Sequence, residues 1–299
     1  MIGLILALVA SFCFAISNVF VRKGMNQSGE SFSAMPISVL IGMALSAFPS
    51  IISSESNELT SLSWLGIVSL AGAGVIHFVI GRMLAYTSIR LIGANRAAPI
   101  LACLTFFAVA LGIFFLNEPL TVHLVLAFLL LIGGVIVIST TSHSEPGKLG
   151  APEGHLTKGI FTALGAAICW GVTPVLIKIG LEETVSSFLA VFVSYLAATI
   201  VAAGLLFYPR NYAKLRRLDR ASLIPITIAA TATTISQILR YVALDYSPVS
   251  MVSPLISTSA LFVFPLSFLI NRKIETFHPR VIAGAIAVVI GIFLMFRVA

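Results

Sequence analysis

Charged residues are scarce in this 299-residue chain: Asp, Glu, Lys and Arg make up only 10% of it, whereas 59% of the residues are hydrophobic. A soluble domain carries about 25% charged residues, which it needs to cover its surface. The low charged fraction excludes an ordinary soluble fold and predicts that lipid is the solvent of this protein. We therefore assign the net charge of +7 to basic anchors in membrane loops and not to a nucleic-acid surface.

Several kinds of reactive group are also missing. The chain has three cysteines, Cys13, Cys103 and Cys169, and their spacing matches neither a disulfide framework nor a metal site. No nucleotide-binding loop, Walker lysine or Rossmann fingerprint is present. We therefore expect no cofactor, no bound metal, no nucleic-acid partner and no hydrolysis of ATP by this chain.

What the sequence does contain is ten apolar runs of about 20 residues, the length that a helix needs to cross a hydrocarbon core. Only helices satisfy every backbone amide within one segment, and barrel strands would alternate apolar and polar residues, so the runs predict an all-α membrane protein. The predicted transmembrane helices are Gly3–Val21, Ala34–Ile52, Trp64–Tyr86, Gly93–Leu116, Val122–Thr140, Gly159–Gly180, Ser187–Tyr208, Ser222–Leu244, Val249–Ile270 and Val281–Phe296.

The chain also repeats itself. A polar stretch at residues 142–157 separates a first repeat at 1–141 from a second repeat at 158–299, with five predicted helices in each. Because five crossings are an odd number, the second repeat must be inverted relative to the first. The predicted fold is therefore ten transmembrane helices in two inverted five-helix repeats, which is typical of secondary transporters.

Matching residues connect the two repeats. The first helix of each carries the pattern Cys-[Phe/Trp]-x₂-[Ser/Thr]-x₄-[Arg/Lys], and further matches link helices 3 and 8 and helices 4 and 9. The matched pairs are Cys13 and Cys169, Phe14 and Trp170, Ser17 and Thr173, Arg22 and Lys178, Arg82 and Arg240, and Pro99 and Pro254. In their order and recurrence these motifs resemble the drug/metabolite transporter superfamily, specifically its EamA-type ten-helix branch. The resemblance implies a small-molecule carrier with a central cavity lined mainly by helices 1, 3, 4, 6, 8 and 9.

The basic residues predict an orientation in the membrane. Most of them fall in the central linker and in the loops between helices 1 and 2, 3 and 4, 7 and 8, and 9 and 10, whereas the opposite face collects acidic residues such as Glu118, Glu182 and Asp245. The positive-inside rule makes the basic face cytoplasmic and places both termini outside the cell membrane. Members of the family resembled here usually look as if both termini are cytoplasmic, so this chain departs from them.

Arg82 and Arg240 are the first candidates for substrate binding. A charge at the membrane centre costs about 2.5–3.5 kcal/mol even on mild insertion scales, so each arginine needs a partner, a wet cavity or a route to the headgroups. One interpretation is that both snorkel to the membrane surface. The other is that both face the cavity and bind carboxylate or phosphate groups, with Tyr86 and Gln237 extending the polar surface.

His77 admits two roles in helix 3. It could bind and release a proton near neutral pH, or it could be a neutral histidine that is hydrogen-bonded to a neighbouring helix. We favour the second role. The predicted helices contain no Asp or Glu at mid-helix, whereas the small multidrug exporters of the same superfamily rely on a glutamate in helix 1. Proton-driven export of lipophilic cations is therefore not expected.

The remaining candidates are aromatic, hydroxyl-bearing and proline residues. Phe14 and Trp170 either stack on a substrate or simply pack against other helices. Polar groups in lipid need interhelical hydrogen bonds and should face the interior. Matched prolines remove backbone donors and mark either a binding site or a static kink. The polar and proline candidates are Ser17, Asn18, Thr173, Pro99 and Pro254.

Three functions fit these features. The leading hypothesis is a secondary-active transporter that moves a small polar metabolite, an amino acid or an organic anion, across the cytoplasmic membrane by alternating access. The second is a lipid-headgroup translocator of the same fold, and the third is an intramembrane enzyme that acts on lipid-linked substrates. For the transporter we expect a small-molecule substrate, the lipid bilayer and a coupling ion as partners, and a monomer or weak homodimer.

Overall fold

The computed structural model describes residues 1–28, 34–52, 63–92, 97, 100–119, 121–141, 153–183, 186–207, 220–270 and 279–298. Every regular element within those residues is helical, which confirms the all-α prediction. Their helices are α1 (Ile2–Ser28), α2 (Ala34–Ile52), α3 in three consecutive parts (Trp64–Gly74, Val75–Gly81 and Arg82–Ile92), α4 (Leu104–Leu116), α5 (Val122–Thr141), α6 (Glu153–Glu182), α7 (Ser187–Leu206), α8 (Arg220–Tyr246), α9 in two parts (Val249–Ser257 and Ser259–Ile270) and α10 (Pro279–Val298).

The helices reach beyond the apolar runs at several ends. Helix α3 continues to Ile92, six residues past the predicted end at Tyr86. Helix α6 begins at Glu153, so the last five residues of the predicted linker are helical. A helix needs apolar residues only within the hydrocarbon, and its backbone bonds continue into the polar headgroup region. Arg82 accordingly lies about 15 Å from the C-terminal end of α3.

Polar side chains start the helices where the chain re-enters the bundle. The Ser63 hydroxyl accepts a hydrogen bond from the backbone of Gly66 at 3.0 Å, and the Ser186 hydroxyl accepts one from Leu189 at 3.3 Å. Such N-caps satisfy amides that the first helical turn leaves without partners. They fix the starts of α3 and α7 on one face of the bundle.

The two repeats interlock. Helix α1 packs most extensively against α8, and α6 packs in the same way along α3. The pairs α2 and α7, α4 and α9, and α5 and α10 also contact each other across the repeats. Exchanging each helix for its counterpart five places away leaves this set of contacts unchanged. The fold is therefore two five-helix repeats related by approximate two-fold symmetry, as the odd number of crossings requires.

Hydroxyl groups hold the repeats together inside the bundle. The Ser17 and Thr233 hydroxyls are 2.5 Å apart, and those of Ser11 and Thr258 are 3.0 Å apart. Both pairs join the first repeat to the second, and all four side chains are buried. Interhelical bonds of this kind stabilise packing in lipid, where the hydrophobic effect no longer distinguishes protein from solvent.

Glu118 forms a further connection between the repeats at the acidic face. Helix α4 ends at Leu116, and the φ of 51° at the following residue, Asn117, turns the chain so that Glu118 reaches the second repeat. The Glu118 carboxylate then accepts hydrogen bonds from the backbone N–H groups of Val249 at 2.6 Å and Ser250 at 2.8 Å. It thereby caps the N-terminus of α9, where free amides and the helix dipole favour a negative charge.

Candidate functional site

The centre of α3 is a π-helical segment, Val75–Gly81, that contains His77. The Trp170 indole of α6 donates a hydrogen bond to the main-chain oxygen of His77 at 3.1 Å, and the two rings are 5.9 Å apart. A Cβ atom at Gly81 would lie 2.6 Å from the indole nitrogen, so only glycine lets Trp170 approach this closely. Single π turns within α-helices occur frequently at functional sites.

His77 is linked to Arg240 through Gln237. The Nε2 atoms of His77 and Gln237 are 3.2 Å apart, and Arg240 Nη1 donates to Gln237 Oε1 at 3.5 Å. Because a guanidinium has no acceptor, it must face the amide oxygen of Gln237, which directs the amide nitrogen towards His77. His77 Nε2 is then the acceptor, and the ring proton is on Nδ1. This arrangement is the neutral, hydrogen-bonded histidine that we favoured.

Arg240 is buried, and the part of the chain that the structure describes gives it no negative partner. Only 6% of its surface is exposed, its Nε has no hydrogen-bond partner, and no carboxylate of the described residues forms an ion pair with it. The 3.5 Å bond to Gln237 is long for a charged donor, since such bonds are usually about 2.7–2.9 Å. The guanidinium therefore carries a charge that its surroundings leave largely uncompensated.

Arg82 has a different environment although its position in the repeat matches that of Arg240. Its Nη1 donates to the Ser38 hydroxyl of α2, and its Cζ lies 5.5 Å from the centre of the Phe78 ring. Phe78 in turn stacks on Tyr195 of α7 at 4.2 Å. Arg82 therefore ties α3 to α2 through its hydrogen bond, and its cation–π contact is with Phe78 of its own helix, which in turn stacks against α7.

The hydroxyl-bearing candidates divide into two groups. Ser17 makes the expected interhelical bond, whereas the Thr173 hydroxyl donates to Cys169 of its own helix at 2.8 Å. The expectation of an interhelical bond for Thr173 is therefore wrong, because a threonine can satisfy itself on the carbonyl four residues earlier. Asn18 is exposed and lies about two and a half turns after the exposed Val9, on the opposite side of α1.

The aromatic and proline candidates differ in how deeply they are buried. Phe14 and Tyr86 are half-buried, and Tyr86 packs against the hydrophobic core. Pro254 is buried in the first part of α9, four residues before the helix is interrupted at Thr258. Pro99 lies outside the described residues, so its predicted pairing with Pro254 stays a prediction.

The sequence interpretation missed a second polar chain beside the site. Tyr241 donates to the Ser194 hydroxyl at 2.8 Å, and Ser194 donates to the main-chain oxygen of Leu70 at 2.7 Å. These bonds connect α8, α7 and α3 next to Arg240. The available signals were the position of Tyr241 directly after Arg240 and the pair Ser194-Tyr195 in the middle of an apolar helix.

Comparison with known proteins supports the assignment of the fold. The sequence profile of the EamA-like transporter family matches residues 1–140 and again residues 157–297. No curated protein matches the sequence of this chain. Among 29 similar chains of solved structures is one described only as "Crystal structure of protein", with a TM-score of 0.79 and 12% identity over 99% of this chain and 96% of its own length. At that identity the likeness shows the fold and nothing of the activity.

Proposed function

Because this chain belongs to the EamA-like transporter family, we propose that it is a secondary-active carrier of small polar metabolites, amino acids or organic anions, in the cell membrane. The family and the apolar helices establish a multi-pass membrane protein from a family of transporters. The substrate class, the alternating-access mechanism and a drive from an ion gradient or from exchange are our proposal. The residues that resemble the family's motifs occur in both repeats, as expected for a carrier that is built from inverted repeats.

The observation that supports this proposal is Arg240. Ionisable residues inside a membrane are expensive and normally mark a substrate or ion pathway. Here the charge lies on α8 and is linked through Gln237 to His77 in the π-helical segment of α3, so that one helix from each repeat contributes. A site between repeats is where rocking of one repeat against the other exposes a bound solute first to one side and then to the other.

A transport assay tests the proposal. We expect purified protein in vesicles to exchange at least one member of a radiolabelled panel of amino acids and organic acids, at rates well above those of protein-free vesicles. Arg240→Ala should lose this flux while remaining folded, and Arg297→Ala, which removes an exposed arginine at the end of α10, should retain it. Flux of phospholipid probes alone would indicate the lipid-headgroup translocator instead, and no flux of any probe would contradict a carrier.

The orientation is tested at the two ends of α6. Lys158 and Glu182 are both exposed and lie on opposite faces of the bundle. In a background without native cysteines, we expect a membrane-impermeant maleimide to label Glu182→Cys in intact cells and to label Lys158→Cys only after permeabilisation. The reverse result would place both termini in the cytoplasm.

A further inference from the structure

The two matched arginines are not equivalent as ligand-binding groups. Arg82 is already engaged, because it donates to Ser38 and lies over the Phe78 ring. Ser38 can accept this bond because its own proton goes to the main-chain oxygen of Met35 at 2.9 Å. Arg82 is thus part of a satisfied set of contacts that joins α2, α3 and α7.

Arg240 and its neighbours present unfilled donors. The Nε of Arg240 and the Nδ1 of His77 are both buried and have no hydrogen-bond partner among the residues that the structure describes. The tautomer set by Gln237 places a proton on His77 Nδ1, so both unpaired atoms are donors. Each buried, unpaired donor carries a desolvation penalty that an acceptor would remove. A set of unfilled donors beside an uncompensated positive charge is complementary to an anion.

We propose that Arg240 alone binds the charged group of the substrate, and that this group is a single carboxylate. The inference rests on the proposed carrier function and narrows its substrate class. One guanidinium with neutral neighbours compensates one negative charge, whereas a dicarboxylate or a doubly charged phosphate would bring a second charge into the bundle without a partner. The planar fork of Arg240 fits the two oxygens of a carboxylate.

In this structure the Gln237 side-chain oxygen occupies the position at Arg240 that we assign to the carboxylate. Its neutral oxygen contacts Arg240 at 3.5 Å, and a carboxylate would form shorter, charge-assisted bonds with the same donors. The substrate therefore displaces the Gln237 oxygen from Arg240. Because the unpaired donors are closed off from solvent in this structure, the substrate enters only when the repeats move apart, as alternating access requires.

The first test needs no ligand. We compare the melting temperatures of two matched variants of the detergent-purified protein, Arg240→Met and Arg82→Met. Replacing an uncompensated buried charge by an apolar side chain should raise the melting temperature, whereas removing a satisfied clamp should lower it. The opposite order, in which Arg240→Met is the more damaging of the two, would mean that Arg240 is already compensated and would overturn the proposal.

The second test measures binding by the shift in melting temperature with butyrate, L-leucine, the amide of each, succinate, L-glutamate and inorganic phosphate. A monocarboxylate should raise the melting temperature, and its amide, the two dicarboxylates and inorganic phosphate should not. The affinity should fall by more than about 30-fold in Arg240→Met, as expected for the loss of one partner of a buried charge pair, and should remain in Arg82→Met.

Two outcomes of the second test contradict the proposal: a stronger response to succinate or phosphate than to any monocarboxylate, and a response to none of the monocarboxylates. The proposal of a carrier and the proposal of a carboxylate site are rejected by different results. Vesicle transport that does not depend on Arg240 would reject the site and keep the carrier. Carboxylate binding at Arg240 without transport of any solute would reject the carrier and keep the site.

Discussion

Replacing Glu118 tests the strongest polar connection between the repeats. Its carboxylate receives two backbone N–H groups at 2.6 and 2.8 Å, and the side chain is only 9% exposed. Hydrogen bonds to charged groups contribute about 1.5–3 kcal/mol each. Glu118→Gln keeps one acceptor oxygen but turns an NH₂ group towards the second amide, so we expect a loss of about 2 kcal/mol. Glu118→Ala removes both bonds and should cost about 4 kcal/mol.

Amide hydrogen exchange measures this loss where it occurs. The first amides of a helix have no partner within the helix, so protection at Val249 and Ser250 depends on Glu118. A loss of about 2 kcal/mol corresponds to roughly 30-fold faster exchange there in Glu118→Gln. Glu182→Gln is the matched control, because Glu182 is an exposed carboxylate that lines the same surface cavity as Glu118. Unchanged protection in Glu118→Gln, or equal loss in the control, would refute the capping argument.

Two further substitutions test the packing around the π-helical segment. A Cβ atom at Gly74 would lie 1.9 Å from a main-chain oxygen of α7, whereas at Gly72 its nearest neighbour would be 4.0 Å away. Gly74→Ala should therefore abolish recovery of monodisperse protein on size-exclusion chromatography, and Gly72→Ala should not. Trp170→Phe removes the bond to His77 and should destabilise the protein by about 1 kcal/mol in chemical denaturation, whereas Trp64→Phe, at an indole that is 78% exposed, should have no effect.

The fold could be predicted from the sequence because lipid makes the signal simple. A single apolar run that crosses a membrane must form a helix, and the predicted bounds of α2 agree with the structure to the residue. The matching motifs then indicated two repeats, and the odd number of predicted helices in each required the second to be inverted. Errors occurred at ends such as Ile92 and Glu153, where the helix leaves the hydrocarbon and hydropathy no longer reports on its backbone bonds.

The residues of the candidate site could be predicted from the sequence, but the contacts among them could not. Composition and matching positions identify Arg82, His77, Gln237 and Arg240 as unusual residues for a membrane interior. They do not show that Arg82 is bound to Ser38 of a different helix, because that contact depends on how α2 approaches α3. The π turn was also out of reach, since a one-residue change of register leaves no trace in the hydrophobic pattern of a helix that is apolar on most sides.

The difference between the two arginines also bears on how a symmetric fold produces a directional site. Inverted repeats begin with equivalent positions, so two matched arginines would offer two equivalent anion sites on either side of the midplane. Here one of them is bound to Ser38 and Phe78, and the other retains unfilled donors beside His77. The contacts of Arg82 add to the packing among α2, α3 and α7, whereas an uncompensated buried charge such as that of Arg240 lowers stability. A ligand gains the most binding energy where it supplies acceptors to unpaired buried donors, so on our proposal this asymmetry favours binding at Arg240.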